Sequence, residues 1–443
     1  MIYVWIVSLV AATSGLLFGF DIAVINGAIV FLKKQWALTE FQTELAASAL
    51  LAGCIAGAAV GGWFSDRYGR RKILMVSAVL FAVSALGAAL PRNLTEFAVA
   101  RILGGVAIGV ASVLAPMYIA EVAPARLRGR LVSLNQMAIV TGILLAYFTN
   151  WILSFHGDQS WRWMFAVAAV PALFFLIALF FVPESPRWLV EMGHDKEALR
   201  ILARVNGQQL AEAELIQIRA AVAEESGTWA ELIQPGVRRA LFIAIVLAVT
   251  QQWTGVNSVL FYGSIILQEK VGGHSASSAI GANVLIGAIN FLFTIVAIAL
   301  IDRVGRKVLL IFSSTVMGLS LAGLALVFRM TPPPPALVIA LMLMCVASFA
   351  VGLGPGVWVV LSEIFPNKIR GRAMSIATLS LWVACTVLTM TFLSIATALG
   401  PAGAFLIYAG VCAFTAWFVW RLTPETKNRT LEEIEGFWKV RKS

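Results

Sequence analysis

Two charged residues stand where charge is least expected. Asp21 and Arg101 each fall inside a long apolar run. A charge at membrane depth costs at least about 2.5–3.5 kcal/mol on insertion scales, which makes each a functional candidate. A buried carboxylate can take up and release a proton, because burial and contact with a cation move its pKa in opposite directions. At a helical rise of about 1.5 Å per residue, both fall to the same side of the middle of their runs, which lets them pair. A purely structural ion pair ordering two helices is the competing reading. Five amides, Gln136, Gln251, Gln252, Asn257 and Asn290, also lie inside apolar runs. A neutral amide both donates and accepts, so such a set suits an uncharged ligand rich in hydroxyls, with an aromatic face against its apolar side. The plainer role of a buried amide is to join helices. The three histidines (His156, His194, His274) are in loops and the four cysteines show no metal-ligand spacing, so no metal, cofactor or histidine relay is expected.

The elements that must position these residues are long. The chain has 443 residues, 60% hydrophobic and 13% charged, with a mean hydropathy of +0.88. Soluble domains carry about 25% charged residues, so a cytosolic enzyme is excluded, as are collagen, disordered and disulfide-scaffold classes. Twelve apolar runs can be drawn, near 3–32, 45–65, 73–91, 95–121, 130–153, 161–182, 237–267, 276–301, 307–329, 336–363, 370–396 and 401–421. Each is long enough for a helix through a ~30 Å hydrocarbon core. Lipid offers the backbone no partners, so the runs are helices. The first run is too long for a signal peptide and is expected to stay as span one. Polar, helix-prone residues 183–236 separate six spans from six.

Three motifs recur at nearly constant offset. Asp66-Arg67-Tyr68-Gly69-Arg70-Arg71 answers Asp302-Arg303-Val304-Gly305-Arg306-Lys307. Glu121, Pro124, Arg126, Arg128-Gly129-Arg130 answers Glu363, Pro366, Lys368, Arg370-Gly371-Arg372. Pro183-Glu184 answers Pro424-Glu425. The pairs follow the second, fourth and sixth spans of each half, which makes a parallel repeat. The expected fold is therefore all-α, with twelve transmembrane helices as two parallel six-helix repeats. Expected domains are an N-terminal bundle at 1–182, a cytoplasmic helical linker at 183–236, a C-terminal bundle at 237–421 and a cytoplasmic tail at 422–443. Placing the motif loops in the cytoplasm puts 26 of 33 Lys+Arg there, so both termini are expected inside. The excess of basic residues is then topology rather than a nucleic-acid surface.

The chain resembles the sugar porter family of the major facilitator superfamily. The resemblance rests on Pro183-Glu-Ser-Pro-Arg-Trp188, Gln251-Gln-Trp-Thr-Gly-Val-Asn257, Pro424-Glu-Thr-Lys427 and the two Asp-Arg-x-Gly-Arg loops. The stretches Gly19-Phe-Asp21-Ile-Ala-Val-Ile-Asn-Gly27 and Arg101-Ile-Leu-Gly-Gly105 extend it to essentially the whole chain. It implies the major facilitator fold and alternating access. It also implies a proton site at Asp21 and Arg101, since proton-coupled members keep an acid there that many passive members lack. Gln136, Gln251, Gln252, Asn257, Asn290, Trp358, Trp382, Phe261 and Gly354 become the expected sugar-binding set. Phe261 departs from the family, where a tyrosine is frequent, and so does Leu381. Gly354-Pro355-Gly356 is expected to bend span ten.

Arg67, Glu121, Arg128, Glu184, Arg187, Arg303, Glu363, Arg370 and Glu425 sit at span ends and are expected to form a cytoplasmic gate bridging the halves. Helix capping and topology are the duller explanation. Gly104-Gly105-x-x-x-Gly109 and Gly57-x-x-x-Gly61 fit close helix packing rather than nucleotide binding. The expected function is proton-coupled symport of a monosaccharide, glucose- or xylose-like, across the inner (plasma) membrane by a monomer. Expected partners are the sugar, the proton and the bilayer, with no nucleic acid and no enzymatic activity. A passive uniporter is the alternative, and a non-transporting sugar sensor a further one.

Overall fold

The computed structural model describes residues 2–124, 127–224, 229–271, 275–330, 332–365 and 369–427. The short polar helix expected near 430–441 lies outside the described residues. Among the described residues the chain is helical throughout, with no strand. In order the helices are α1 (Ile2–Gln35), α2 (Glu40–Tyr68), α3 (Arg70–Ala89), α4 (Leu94–Val122), α5 (Arg128–Leu153), α6 (Ser160–Ala166), α7 (Ala169–Leu179), α8 (Pro186–Glu191), α9 (Asp195–Asn206), α10 (Gln208–Glu224), α11 (Pro235–Trp253), α12 (Val256–Ile265), α13 (Ala276–Val304), α14 (Arg306–Val327), α15 (Pro335–Val351), α16 (Leu353–Glu363) and α17 (Arg370–Leu422). Among the described residues eleven segments are long and apolar enough to cross a membrane, and the last, Gly371–Leu422, has 52 residues. That length serves two crossings. Its helix is interrupted at Gly400, where φ is 72° and Pro401 follows, so the twelve expected spans are present.

Three of the spans are each built from two helices. One crossing joins α6 to α7 and another joins α11 to α12 through Gly255, whose left-handed backbone (φ 83°) breaks the helix after Gln251-Gln252-Trp253. The third joins α15 to α16, and here the break falls at Gly352, two residues before the glycine expected to cause it. Pro355 lacks an N–H and so fits the first turn of α16, leaving the irregular residue just upstream.

By internal contacts the chain forms two compact units. The first comprises Met1–Ile22, Ala52–Ile143 and Arg162–Ser226, and the second Ala23–Leu51, Leu144–Trp161 and Gly227–Ser443. The boundaries cut through α1, α2, α5 and α6.

Small residues let the helices of the first unit approach. A Cβ on Gly19 would collide with the Ile139 carbonyl, and one on Gly142 with that of Leu16, so α1 and α5 touch backbone to backbone. Gly53 and Gly57 of α2 lie equally close to Ile102 and Val106 of α4, and Gly109 returns the contact to Cys54. Without a hydrophobic drive between helices in lipid, such close packing is a main source of adhesion. The amphipathic α9 and the longer α10 follow the short α8, where the sequence shows its polar stretch. In the second unit, Gly27 of α1 lies against Asn150 of α5, and Gly281 of α13 against Trp151. Cys54, Cys345, Cys385 and Cys412 are all buried.

Gly19→Ala must displace the Ile139 backbone and is expected to cost about 1–3 kcal/mol by overpacking. Gly62→Ala, where nothing lies within 4 Å of the new atom, is the matched control. Thermal unfolding in detergent checks this, with the midpoint falling for the first and holding for the second.

Candidate functional site

Asp21 and Arg101 come together inside the first unit. Arg101 donates through Nη1 to Asp21 Oδ1 and through Nη2 to the Asp21 carbonyl at 2.7 Å. The Arg101 side chain is wholly buried and that of Asp21 nearly so. The guanidinium also lies over the Phe165 ring, 5.2 Å from its centroid. Asp21 Oδ2 accepts no hydrogen bond from the described residues and lies beside Gly104, where a Cβ would sit 3.0 Å from it. The absent side chain of Gly104 is what leaves room for this oxygen beside Ser84. A carboxylate with one oxygen fixed by a cation and the other unengaged can be protonated on the second without rearranging the first.

Three expected sugar-site amides of the second unit, Gln251, Gln252 and Asn257, form a chain of hydrogen bonds around the break at Gly255. Gln251 Nε2 donates to the carbonyls of Leu353 at 2.7 Å and Gly354 at 3.1 Å. Gln252 Nε2 donates to Gln251 Oε1 at 3.2 Å. Asn257 Nδ2 donates to Gln252 Oε1 at 2.7 Å. The broken turn is what turns Asn257 back toward Gln252, five residues earlier. Gly354 enters the chain through its carbonyl, and Trp382 and Phe261 are buried. Trp358 is half-buried on α16. Asn290, buried in α13, donates and accepts nothing through its side chain among the described residues. Gln136 is half-buried on α5 within the first unit. Phe261 has no hydroxyl, whereas the adjacent Tyr262 donates to the Thr389 carbonyl at 2.6 Å.

The charged motifs at the span ends close into two clusters of one design. In the first unit Arg70 donates to both oxygens of Glu121, at 3.1 and 3.2 Å, and Ser185 Oγ donates to Glu121 at 2.5 Å. Glu184 accepts the N–H of Arg71 at 3.0 Å and that of Ser185 at 2.9 Å. In the second unit Arg306 donates to Glu363 at 3.0 Å and Thr426 Oγ1 to Glu363 at 2.5 Å. Glu425 accepts the N–H groups of Arg306 and Lys307 at 3.1 and 3.0 Å. Each carboxylate of the Pro-Glu motif therefore caps the N-terminus of a spanning helix, where the helix dipole favours negative charge. Gly69 (φ 100°) and Gly305 (φ 105°) precede those helices, and a side chain on either would run into the capping carboxylate. Burial raises the Glu184 carboxyl above the usual carboxylate range, against the N–H donors that hold it down.

The arginines that meet Glu121 and Glu363 are Arg70 and Arg306, each directly after the motif glycine. Arg67 ends α2 and is exposed, over the rings of Trp63 and Tyr68. Arg303 is exposed as well and contributes its carbonyl to Lys427. Arg187 pairs with Glu191, one turn on, at 3.5 Å. Arg128 and Arg370 open α5 and α17, and their side chains lie outside the described residues.

Sequence reasoning missed two sites. Glu44, just ahead of the second apolar run, is wholly buried in α2 and accepts Ser394 N at 2.8 Å and Ser394 Oγ at 2.6 Å. The reason is that α2 begins earlier, at Glu40, than its apolar run suggests. Asn26, Asn283 and Tyr147 form a second polar cluster. Their signal was present, since all three are polar residues inside apolar runs.

Polar groups sequestered this way inside membrane-crossing helices, on a duplicated six-span plan, define a multi-pass membrane transporter. Residues 7–438 match the family model described as "Sugar (and other) transporter", and the chain belongs to that family. It is 40% identical over 445 residues to the arabinose-proton symporter of Bacillus subtilis, covering 98% of this chain and 95% of the relative. It is 38% identical over 474 residues to the D-xylose-proton symporter of Escherichia coli, covering 98% and 96%. The solved structure of a proton:xylose symporter bound to 6-bromo-6-deoxy-D-glucose superposes with a TM-score of 0.85 at 37% identity, covering 99% of each chain.

Arg70 and Glu121 side chains are 4% and 9% exposed, whereas Arg306 and Glu363 are 12% and 26% exposed. Removing one partner of a buried pair costs about 3–5 kcal/mol, while exposed pairs are worth ~0–1 kcal/mol. Arg70→Ala is therefore expected to lower the unfolding midpoint clearly more than Arg306→Ala, measured side by side in the same detergent.

Proposed function

We propose that this protein carries a monosaccharide into the cell together with a proton, by alternating access. The observation that carries the proposal is the buried Asp21–Arg101 pair, with one carboxylate oxygen bonded to the cation and the other unengaged. In this reading protonation of Asp21 weakens its hold on Arg101, and the two states of the pair favour different arrangements of the spans. A passive uniporter has no use for a carboxylate kept at such cost in lipid, so the coupled reading is preferred.

Gln251, Gln252, Asn257, Asn290 and Trp382 are the proposed sugar contacts, with Trp358, Phe261 and Gly354 shaping their surroundings. Gln136 is the candidate contributed by the first unit and rests on the family resemblance. The printed names of the two relatives supply arabinose and xylose as starting candidates, and the ligand of the solved structure adds a glucose derivative. With Phe261 in place of a hydroxyl, a sugar lacking one hydroxyl strands no buried partner. The motif-bearing ends, with Glu121, Arg128, Glu184, Arg187, Glu363, Arg370 and Glu425 and the flanking Arg67 and Arg303, are proposed as the cytoplasmic gate. Both termini then lie inside, and each half, 1–182 and 237–421, moves as a bundle tied by the linker 183–236.

Uptake into proteoliposomes over arabinose, xylose and glucose, with and without an inward proton gradient, tests this. The gradient is expected to drive accumulation of at least one pentose or hexose. Asp21→Asn is expected to bring the inside-to-outside ratio to unity while exchange persists. Unchanged accumulation in that variant would exclude Asp21 as the proton carrier, and no uptake or exchange of any of the sugars would overturn the assignment.

A further inference from the structure

Arg101 is a wholly buried cation, and among the described residues its one ion pair is with Asp21. Its Nε–H meets no acceptor among them. A proton placed on Asp21 removes the counter-ion but leaves the guanidinium charged, because arginine keeps its proton in proteins. A buried charge that loses its partner is costly, so something else must hold the cation in that state. The other charges on the surrounding helices are engaged or distant. On α4, Glu96 accepts the Arg92 N–H at 2.8 Å, and Glu121 is held by Arg70 and Ser185. The charges of α3 are its first three residues, Arg70, Arg71 and Lys72, and those of α5 within the first unit, Arg128 and Arg130, are also at its start. In the same unit α2 has only Asp66 and Arg67, at its end, and α7 has none. Arg162, the one charge on α6, donates to the carbonyls of Ala89 and Pro91 at 2.9 and 3.1 Å. What faces the guanidinium is a ring. Phe165 of α6 is buried, with its centroid 5.2 Å from Arg101 Cζ. Phe97 meets that ring edge to face, at 5.3 Å between centroids. Phe97 and Arg101 are four residues apart on α4, so one helix face carries both the cation and the support of its ring.

We propose that Phe165 is a positioning residue for proton coupling, whose π face holds the Arg101 guanidinium while the Asp21 carboxyl is neutral. The inference rests on the reading of Asp21 as the proton carrier. With Asp21 ionised, the carboxylate dominates the hold on Arg101, and its negative charge offsets part of the field that the guanidinium presents to the ring. A proton added to the unengaged Oδ2 removes both effects. The cation then settles toward the ring, and a desolvated cation–π contact is the strong kind. The Asp21 carbonyl keeps its bond to Nη2 throughout, since it carries no titrating group. The ring therefore contributes more to the proton-loaded state than to the empty one, and only such a difference moves an equilibrium. An aliphatic side chain of similar size fills the volume but leaves the loaded cation unserved.

Phenylalanines bearing one, two and three ring fluorines, installed at position 165, weaken the π face stepwise at nearly constant shape. Infrared difference spectroscopy on the full-length protein in lipid nanodiscs, without sugar, follows the protonated-carboxyl band that Asp21→Asn removes. The pH midpoint of that band is expected to fall along the series, by about half a unit in all, a threefold change in proton concentration. Phe165→Leu is expected to lower it at least as far. In proteoliposomes the external pH for half-maximal accumulation is expected to fall in parallel. A midpoint that holds or rises along the fluorine series overturns the proposal. So does a midpoint moved by Phe165→Leu alone, which would make the ring a packing element. The two readings fail separately. A band that Asp21→Asn removes and fluorination does not move would leave the proton assignment standing without Phe165. A band that survives Asp21→Asn would overturn the assignment and this inference with it.

Discussion

Hydrocarbon answers no hydrogen bonds, so a polar group inside a spanning helix is costly unless it finds a partner within the protein. This one constraint sorts the buried polar residues of the chain. Arg101 finds the carboxylate and carbonyl of Asp21. Glu44 finds the N–H and hydroxyl of a single serine, Ser394. Gln251 finds two carbonyls at the start of α16, and they lie beside the break that makes that stretch of backbone irregular. Polar side chains and broken helices therefore occur together, because a break supplies backbone groups that a side chain can serve and a side chain makes the break tolerable.

Duplication gives the two halves the same devices, and the halves have spent them differently. At the span ends the design is repeated nearly atom for atom, with arginine on glutamate, hydroxyl on the same glutamate, and a second glutamate capping a helix. Within the helices the repetition fades. The ion pair belongs to the first unit, and the linked amides around Gly255 belong to the second. In a duplicated scaffold with divided chemistry, a change in the ion pair leaves the linked amides' contacts intact, and the reverse.

The spans, the repeat and the Asp21–Arg101 pair were legible in the sequence for a common reason. Long apolar runs have few alternative folds, and a lone charge inside one is rare enough to stand out. The choice between Arg67 and Arg70 was not legible. It depends on which arginine ends α2 and which begins α3, and that is set by the positive φ of Gly69 between them. Glu44 was passed over because hydropathy finds the middle of a helix better than its ends. Asn26 was passed over although it is a polar residue inside an apolar run, because its backbone partners at Leu260 and Ser264 leave no mark in residue identity. The expected bend at Gly354 fell at Gly352 for a related reason, since a proline shifts strain onto its upstream neighbours.

The four cysteines, each free and enclosed by helices, bear on how this molecule meets an oxidising medium. A thiol that solvent cannot reach forms no disulfide between copies and is slow to climb toward sulfenic or sulfinic acid. In this conformation the native thiols are shielded from aqueous reagents, so a single cysteine placed at the surface would be the most accessible one.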